Sequence, residues 1–238
     1  MKKILLIHGW DYDNYYGRTT NEAWHNRLKF INELEKHYIV KRLDLPGFGL
    51  QKEPKVKKYT IEDFADYIHN YIIENNFQPD YILGYSFGGA VAVTYLKKYG
   101  NVKLILVSPA LIRNNDNSKK YMKTPRLLNP IRNSIRDYYL IHKVKVPEMV
   151  YGTKFLRNTY QSIVRIELAD TLKQFNTKDF IIIYGEEDDM VDPKRMLKIV
   201  DSNIKDRIYL IPGGGHDIAN THTKELTNII NEYTNSIK

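Results

Sequence analysis

The sequence predicts an α/β protein built on a doubly wound, mainly parallel sheet of about six strands. Three observations support this fold class. Short, continuous apolar runs, typical of strands buried on both faces, recur along the chain. Segments with the periodicity of amphipathic helices lie between most of these runs. The resulting order of strands and helices is the alternation that produces parallel sheets. With 238 residues, 42% of them hydrophobic, the chain is long enough for one large domain.

Four strands and three helices are predicted in the first 110 residues. The helix that follows Thr60 carries a capping-box signal, because Asp63 stands three residues later. Gly100 is well suited to the position just after a helix. The predicted strands are 3–7, 38–43, 80–85 and 102–107, and the predicted helices are 22–36, 60–75 and 87–99.

The pattern changes after residue 111. Residues 112–173 contain no buried-strand run and are interrupted by Pro125, Pro130 and Pro147. From residue 113 to residue 173 there are 13 Lys and Arg against 5 Asp and Glu, which accounts for the whole net charge of +8. We therefore expect a basic, mainly helical module, residues 112–173, inserted in a core made of residues 1–111 and 174–238.

The alternation resumes after the insertion. Strands are predicted at 180–184 and 207–211, and helices at 193–200 and from 223 to about 233. Asp192 precedes Pro193, which is favoured at the first position of a helix, so Asp192 is the predicted N-cap.

The composition excludes several classes of protein. Without cysteine the chain has neither disulfides nor thiolate metal sites. Apolar runs are far shorter than the roughly 18 residues of a membrane span. The four apolar residues between Lys3 and His8 are too few for the core of a signal peptide. We expect a cytoplasmic protein with no membrane span, and the basic segment shows no nucleic-acid-binding motif.

The central motif is Gly84-Tyr85-Ser86-Phe87-Gly88, a Gly-x-Ser-x-Gly sequence between a predicted strand and a predicted helix. In this context the serine lies on a tight, strained turn that exposes its hydroxyl to a base and a substrate. The alternative is a serine that only caps the helix.

Two later loops favour the catalytic interpretation. An acidic loop, residues 185–192, follows one strand, and His216 follows the last strand. The carboxyl ends of parallel strands share one edge of the sheet, so both loops lie near Ser86. A serine hydroxyl needs a base, which histidine supplies, and a carboxylate orients the imidazole.

These residues resemble the alpha/beta hydrolase superfamily, specifically its small capped serine hydrolases, which include esterases, carbon–carbon bond hydrolases and proline-iminopeptidase-like enzymes. The resemblance covers nearly the whole chain. It is carried by His8–Trp10, Asp44–Gly49, Gly84–Gly89, the Gly185-x-x-Asp188-x-x-Val191 spacing and Gly215-His216. It implies a six-stranded core, with residues 112–173 as a cap over the active site.

The resemblance also implies roles for individual residues. It assigns Ser86, His216 and Asp188 as the catalytic triad, with Asp189 and Asp192 as alternatives for the acid. The backbone N–H of Phe87, the residue after the nucleophile, is one expected oxyanion donor. By resemblance, the backbone N–H of Trp10 is the other.

Two other histidines have specific expectations. His8 is expected to hydrogen-bond its own loop, and His222 is the only alternative to His216 as the base. The spacing of the histidines forms no metal site, and no cofactor is expected.

The expected activity is that of a carboxylesterase-like serine hydrolase, acting on an ester or related acyl bond of a small molecule. Peptidase, amidase, thioesterase, carbon–carbon hydrolase and acyltransferase activities use the same triad and remain alternatives, as does a slow-turnover sensor or partner-binding protein. The basic cap has three interpretations: a solvated surface, which is favoured, guidance of an anionic acyl substrate, and contact with nucleic acid or a membrane surface. A monomer or a homodimer is expected.

Overall fold

A parallel sheet forms the centre of the protein, which a computed structural model describes over residues 1–112 and 138–236. The described strands number six, lie in the order β2-β1-β3-β4-β5-β6 and are parallel in every neighbouring pair. They are β1 Lys3–Ile7, β2 Ile39–Leu43, β3 Tyr81–Tyr85, β4 Lys103–Val107, β5 Phe180–Gly185 and β6 Ile208–Ile211. The predicted fold class is confirmed.

Helices connect the strands. In chain order the α-helices of the described residues are α1 Leu28–Glu35, α2 Ile61–Glu74, α3 Phe87–Tyr99, α4 Pro147–Tyr151, α5 Lys154–Ile163, α6 Pro193–Ile199, α7 Ser202–Lys205, α8 Ile218–Thr221 and α9 Thr223–Ser236. Short 3-10 helices lie at Tyr12–Asn14, His25–Arg27, Ala169–Gln174 and Thr177–Asp179, and a π-helical turn lies at Leu140–Val144.

Both faces of the sheet are buried, which explains the continuous apolar runs. Side chains alternate between the faces along each strand. One face packs against α2 and α3, and its buried side chains include Leu5, Ile7, Phe64 and Val91. The other packs against α1 and α9, and its buried side chains include Ile4, Leu6, Phe30 and Leu226. The sheet is therefore wound with helices on both sides.

Local sequence signals predict most of the helix and strand boundaries correctly. Thr60 and Asp63 form the predicted capping box, and Asp192 accepts a hydrogen bond from the N–H of Arg195 at 3.1 Å as the N-cap of α6. The predicted start of the first helix at residue 22 is wrong, because α1 begins at Leu28. Before the helix, the N–H of Ala23 donates a hydrogen bond to Asp44 at 2.8 Å, which holds this part of the chain in a turn.

The predicted insertion lies between β4 and β5. Its residues 113–137 are outside the described residues. The described remainder contains helical elements, which include α4 and α5. Thr159 accepts a hydrogen bond from the N–H of Tyr59 at 3.0 Å, and Ser162 donates to the carbonyl of Tyr59 at 2.8 Å. These bonds tie α5 to the loop before α2.

No helix in the described parts of the chain combines the length and apolar character needed to cross a membrane.

Candidate active site

Ser86 lies at the junction of β3 and α3, beside the point where the strand order changes direction. β1 continues to β2 on one side, while β3, β4, β5 and β6 follow on the other. Loops at such a switch point diverge and leave a crevice at the carboxyl ends of the strands. The loops that carry Gly9 and Ser86 border this crevice.

The backbone of Ser86 is strained, with φ 52° and ψ −116°. A non-glycine residue with positive φ persists only where surrounding bonds hold it. The N–H of Ser86 donates to Val107 at 2.9 Å, and its carbonyl accepts from the N–H groups of Gly89 and Ala110, both at 3.0 Å. These bonds hold the backbone of Ser86 in this conformation.

The β1 loop approaches this turn closely. A Cβ atom at Gly88 would lie 2.3 Å from the carbonyl oxygen of Ile7, so only glycine fits there. A Cβ atom at Gly9 would lie 3.2 Å from the Cβ atom of Ser86. The loop that carries Trp10 is therefore packed directly against the serine.

His216 and Asp188 are in direct contact. His216 Nδ1 lies 2.8 Å from Asp188 Oδ2. The other carboxylate oxygen accepts from the N–H groups of Met190 and Val191, both at 3.0 Å. With an acceptor on Nδ1, the imidazole carries its proton there and leaves Nε2 free to act as a base.

The carboxyl group of Asp188 is buried yet favours the charged state. Burial acts to raise its pKa, but hydrogen bonds from His216 and from the backbone of Val191 and Met190 outweigh burial. The pKa of Asp188 is therefore below its usual value. Of the two alternatives, Asp189 is exposed and Asp192 caps α6, so the structure brings neither against His216.

Three side chains fix the loop that carries His216. Tyr85 donates its hydroxyl hydrogen bond to the carbonyl of His216 at 2.6 Å, and Ser108 donates to the same oxygen at 3.2 Å. Arg27 pairs with Asp217, the next residue, at 3.1 Å, and its guanidinium lies 4.5 Å from the centre of the Tyr85 ring. No local pattern in the sequence marks Arg27, because 190 residues separate it from Asp217.

Ser86 and His216 line one cavity of about 280 Å³, which we call the histidine cavity. Among the hydrogen bonds of the described residues, none joins the Ser86 hydroxyl to the imidazole. Such bonds often become short only when substrate is bound. The structure thus places His216 in direct contact with Asp188, and Ser86 lines the same cavity as His216.

The two residues expected to supply the oxyanion donors, Trp10 and Phe87, line a cavity together with Ser86. Within the described part of the chain, neither the N–H of Trp10 nor that of Phe87 has a hydrogen-bond acceptor. Phe87 is the first residue of α3, where the helix dipole favours negative charge. The indole of Trp10 donates to Tyr15 at 2.8 Å and packs edge-on against Phe48, which fixes the backbone of the loop.

A second cavity of about 240 Å³, which we call the apolar cavity, opens on the other side of Ser86. Tyr160, from α5, lines this cavity. Burial, with the nearby charge of Glu148 as a second cause, raises the pKa of Tyr160 to about 12, so its hydroxyl stays neutral. Both cavities share four lining residues, Trp10, Ser86, Glu148 and Met190.

His8 has a structural environment. Its Nδ1 donates to the carbonyl of Gly9 at 2.7 Å, and its Nε2 accepts from the N–H of Leu45 at 2.9 Å. Burial lowers the pKa of His8, in agreement with a neutral ring. His222, the rival base, bonds to Thr221 and does not line either cavity among the described residues.

Metal ions in proteins are held by clusters of His, Cys, Asp or Glu side chains. Across residues 1–112 and 138–236, no cluster of three or more His, Cys, Asp or Glu is placed to hold an ion.

Comparisons with known proteins agree with this architecture. Over 117 residues the chain is 32% identical to pimeloyl-(acyl-carrier protein) methyl ester esterase from Pseudoalteromonas atlantica. That match covers 48% of this chain and 40% of the esterase, less than half of its length.

Solved structures share the fold over nearly the full chain. A meta-cleavage product hydrolase from Pseudomonas fluorescens has a TM-score of 0.69 at 18% identity, covering 100% of this chain and 92% of that one. An esterase from Exiguobacterium antarcticum has a TM-score of 0.66 at 19% identity, covering 98% and 91%. The sequence profile of the alpha/beta hydrolase family matches residues 4–228. The chain belongs to the alpha/beta hydrolase family.

Proposed function

We propose that the protein is a serine hydrolase that cleaves carboxylic esters of small molecules, with Ser86, His216 and Asp188 as its triad. The observation that carries this proposal is the 2.8 Å bond between His216 and Asp188 beside a cavity that Ser86 also lines. The similarity to a curated methyl ester esterase supports an ester as the substrate.

The first half of the proposed reaction forms an acyl-enzyme. His216 Nε2 takes the proton of the Ser86 hydroxyl as Oγ attacks the carbonyl carbon. The carbonyl oxygen becomes an oxyanion and accepts hydrogen bonds from the N–H groups of Trp10 and Phe87. The bond to the alcohol then breaks, and His216 returns the proton to the departing oxygen.

The second half releases the acid. His216 takes a proton from water, which attacks the acyl carbon, and the proton then returns to Ser86 Oγ as the acid leaves. Throughout, the Asp188 carboxylate stabilises the imidazolium and holds the ring in place. Side chains and backbone supply the nucleophile, the proton transfer and the charge stabilisation, so we propose no cofactor.

We further propose that residues 112–173 form a cap inserted in a core of residues 1–111 and 174–238. Tyr160 and Ile163 of α5 line the apolar cavity, which supports this division. The positive charge of this segment is consistent with guidance of an anionic acyl substrate, one of its three interpretations.

The nucleophile is tested by Ser86→Ala. We expect this variant to lose p-nitrophenyl ester hydrolysis and labelling by a fluorophosphonate probe, whereas Ser202→Ala, at an exposed serine, keeps both. Hydrolysis by Ser86→Ala at the wild-type rate, or a wild type that is never labelled, would contradict the proposal.

A second candidate is an aminopeptidase. Glu148 lines both cavities, where a carboxylate suits a substrate amine, whereas Glu167, the other glutamate of the insertion, is exposed. The two activities are separated by comparing proline p-nitroanilide with p-nitrophenyl esters. A preference for the anilide that Glu148→Gln removes would favour the peptidase.

A further inference from the structure

Trp10 lies between the core and the insertion. Its backbone N–H is one of the two proposed oxyanion donors. Its indole ring packs against Phe48 of the core, with 4.9 Å between ring centres, and against Tyr160 of α5, with 5.5 Å. The indole N–H donates to the hydroxyl of Tyr15 at 2.8 Å. Both parts of the protein therefore contact the side chain of the residue that carries the donor.

The core holds Tyr15 in place. Its side chain is buried, and the residues on both sides of it are bonded to the turn after β2. The N–H of Tyr16 donates to the carbonyl of Gly47 at 2.9 Å. The carbonyl of Asn14 accepts from the N–H of Gly49 at 2.7 Å. The Tyr15 hydroxyl is therefore a fixed acceptor for the indole N–H.

The same hydroxyl contacts the insertion. An indole N–H only donates and a backbone carbonyl only accepts. The Tyr15 hydroxyl therefore accepts from Trp10 and donates to the carbonyl of Glu148, in α4, at 3.3 Å. Burial raises the pKa of the Tyr15 hydroxyl, which keeps the donated proton in place. A single hydroxyl thus connects α4 with the side chain of Trp10.

A stack of side chains holds α4 against the same loop. The ring of Tyr151, the last residue of α4, stacks on the ring of Tyr12 with 5.5 Å between their centres. The guanidinium of Arg18 lies 4.1 Å from the centre of the Tyr151 ring, within the range of a cation–π contact. Tyr151 is not among the described residues that line either cavity beside Ser86. A substitution of Tyr151 therefore changes the docking of α4 and leaves the cavity walls in place.

We propose that Tyr15 is a positioning residue for the oxyanion donor of Trp10, and that the docking of α4 on Tyr15 makes the alignment of this donor depend on the insertion. This inference rests on the proposed serine hydrolase activity and adds a means by which contacts on the insertion regulate the site. An oxyanion donor stabilises the transition state more than the bound ester. Its displacement therefore lowers kcat and leaves KM nearly unchanged.

Tyr15→Phe tests the positioning role, because it removes the hydroxyl and keeps the ring. We expect kcat for p-nitrophenyl butyrate to fall about 10- to 100-fold, with KM within about two-fold. A trifluoromethyl ketone gives a second measurement. Ser86 Oγ adds to its carbonyl carbon, the serine proton passes to His216, and the carbonyl oxygen becomes an oxyanion. Affinity for this ketone should fall by the same factor as kcat.

Tyr233→Phe is the matched control. Tyr233 is also a buried tyrosine whose hydroxyl donates to a backbone carbonyl, that of Lys178, at 3.1 Å. It lies in α9, which packs on the other face of the sheet. The variant loses a bond of the same kind, so it should keep kcat and the affinity for the ketone within about two-fold.

A double-mutant cycle tests the connection to α4. Tyr151→Ala removes the stack, and we expect it to lower kcat about 3- to 10-fold in wild type. In the Tyr15→Phe background the connection is already broken, so the same change should lower kcat less than about two-fold. Tyr139→Ala, at another exposed tyrosine of the insertion, is the control and should leave kcat unchanged.

The outcomes separate the two proposals. If Tyr15→Phe matches Tyr233→Phe, or raises KM with kcat unchanged, Tyr15 does not position the donor, while ester hydrolysis by Ser86 stands. If the effects of Tyr15→Phe and Tyr151→Ala on log kcat are additive, α4 does not act through Tyr15.

A further variant covers a failure of Tyr15→Phe to fold. Trp10→Phe removes the same hydrogen bond from its other end, and unchanged affinity for the ketone in that variant would overturn the positioning role. If wild type hydrolyses no p-nitrophenyl ester and is not labelled at Ser86 by a fluorophosphonate, the proposed function fails, and the inference with it.

Discussion

Ser86 shows how a strained residue is kept in place. Its positive φ costs on the order of 1–3 kcal/mol, and three backbone hydrogen bonds to β4, α3 and the segment after β4 hold it. The strain directs the side chain out of the sheet toward the two cavities. Because the restraint is in the backbone, Ser86→Ala leaves the turn intact and removes only the hydroxyl.

Replacement of Asp188 tests its role as the orienting acid. In Asp188→Asn we expect kcat to fall about 10⁴-fold, because an amide no longer holds the imidazole in the required tautomer. Steady-state kinetics on a p-nitrophenyl ester gives the measurement. Asp192→Asn is the control, since that carboxylate only caps α6, and it should keep kcat within about two-fold. Comparable losses in both variants would contradict the assignment of Asp188.

The depressed pKa of Asp188 predicts a pH dependence of stability. A carboxyl group whose pKa is lower in the folded than in the unfolded state stabilises the fold above its ordinary value near 4. That stabilisation is lost as the pH falls through the lower, folded value. We therefore expect the Tm advantage of wild type over Asp188→Asn to be constant above about pH 5 and to shrink as the pH falls below about 4. An advantage that grows on acidification would contradict the direction of the shift.

The candidate site residues that the sequence predicts can be found because each follows a local pattern in the chain. Ser86, Asp188 and His216 stand at strand ends, and a parallel sheet brings such positions together whatever the rest of the chain does. Arg27 carries no such signal, because only the packing of its segment against the final loop brings it to Asp217. Glu148 stood out in the sequence only as a carboxylate of the insertion, and its place between the cavities required the structure.

At the scale of elements, the loop after β6 is the piece that must be held most accurately. It carries His216, whose carbonyl accepts a hydrogen bond from Tyr85, the last residue of β3, and Arg27 pairs with Asp217. The strand end that leads into Ser86 and the loop of His216 are thus joined by a direct hydrogen bond. Their relative position therefore does not depend on a contact between Ser86 and His216.

Tyr85→Phe tests this connection. Loss of the hydroxyl removes the shorter donor to the His216 carbonyl, so we expect kcat to fall about 10- to 100-fold with little change in KM. Tyr95→Phe, at a buried tyrosine of α3 on the opposite face of the sheet, should retain wild-type kinetics. Equal kinetics for the two variants would show that the Tyr85 hydroxyl does not position the loop.

The types of the secondary-structure elements are predictable from the sequence, whereas the residues at which they begin and end are less so. Strands buried on both faces are recognisable as apolar runs, and α2 and α6 begin at capping residues within the same segment. The start of α1 depends instead on Asp44, which accepts a hydrogen bond from the N–H of Ala23, 21 residues earlier in the chain, and holds Ala23 outside the helix. A hydrogen bond between residues so far apart in the chain leaves no periodic pattern in the sequence.

At the scale of the whole molecule, one sheet is shared by two distant parts of the sequence. β4 and β5 pair directly, although residues 108–179 separate them along the chain. Residues before and after the insertion therefore contribute to the same buried clusters on both faces. The two parts of the core should unfold together.

Ile182→Ala tests this cooperativity. Ile182 is fully buried in β5, and its truncation should cost about 2–5 kcal/mol in the free energy of unfolding. We expect the loss to appear in urea unfolding followed by tryptophan fluorescence, although Trp10 and Trp24 both lie in the first part of the chain. Ile199→Ala, at a residue 44% exposed, should change stability by less than about 0.5 kcal/mol. A tryptophan signal insensitive to Ile182→Ala would mean that the two parts unfold separately.

The direct bond between Tyr85 and the His216 loop has a consequence for altering this enzyme by design. Both variable positions of the Gly-x-Ser-x-Gly motif are committed, but to different tasks. The Tyr85 ring lies on the face of the sheet that supports His216, while Phe87 borders the apolar cavity and packs against Trp10 and Phe64. Libraries that vary Phe87 would therefore reshape a wall of the apolar cavity beside Ser86, whereas libraries that vary Tyr85 would disturb the loop that carries His216.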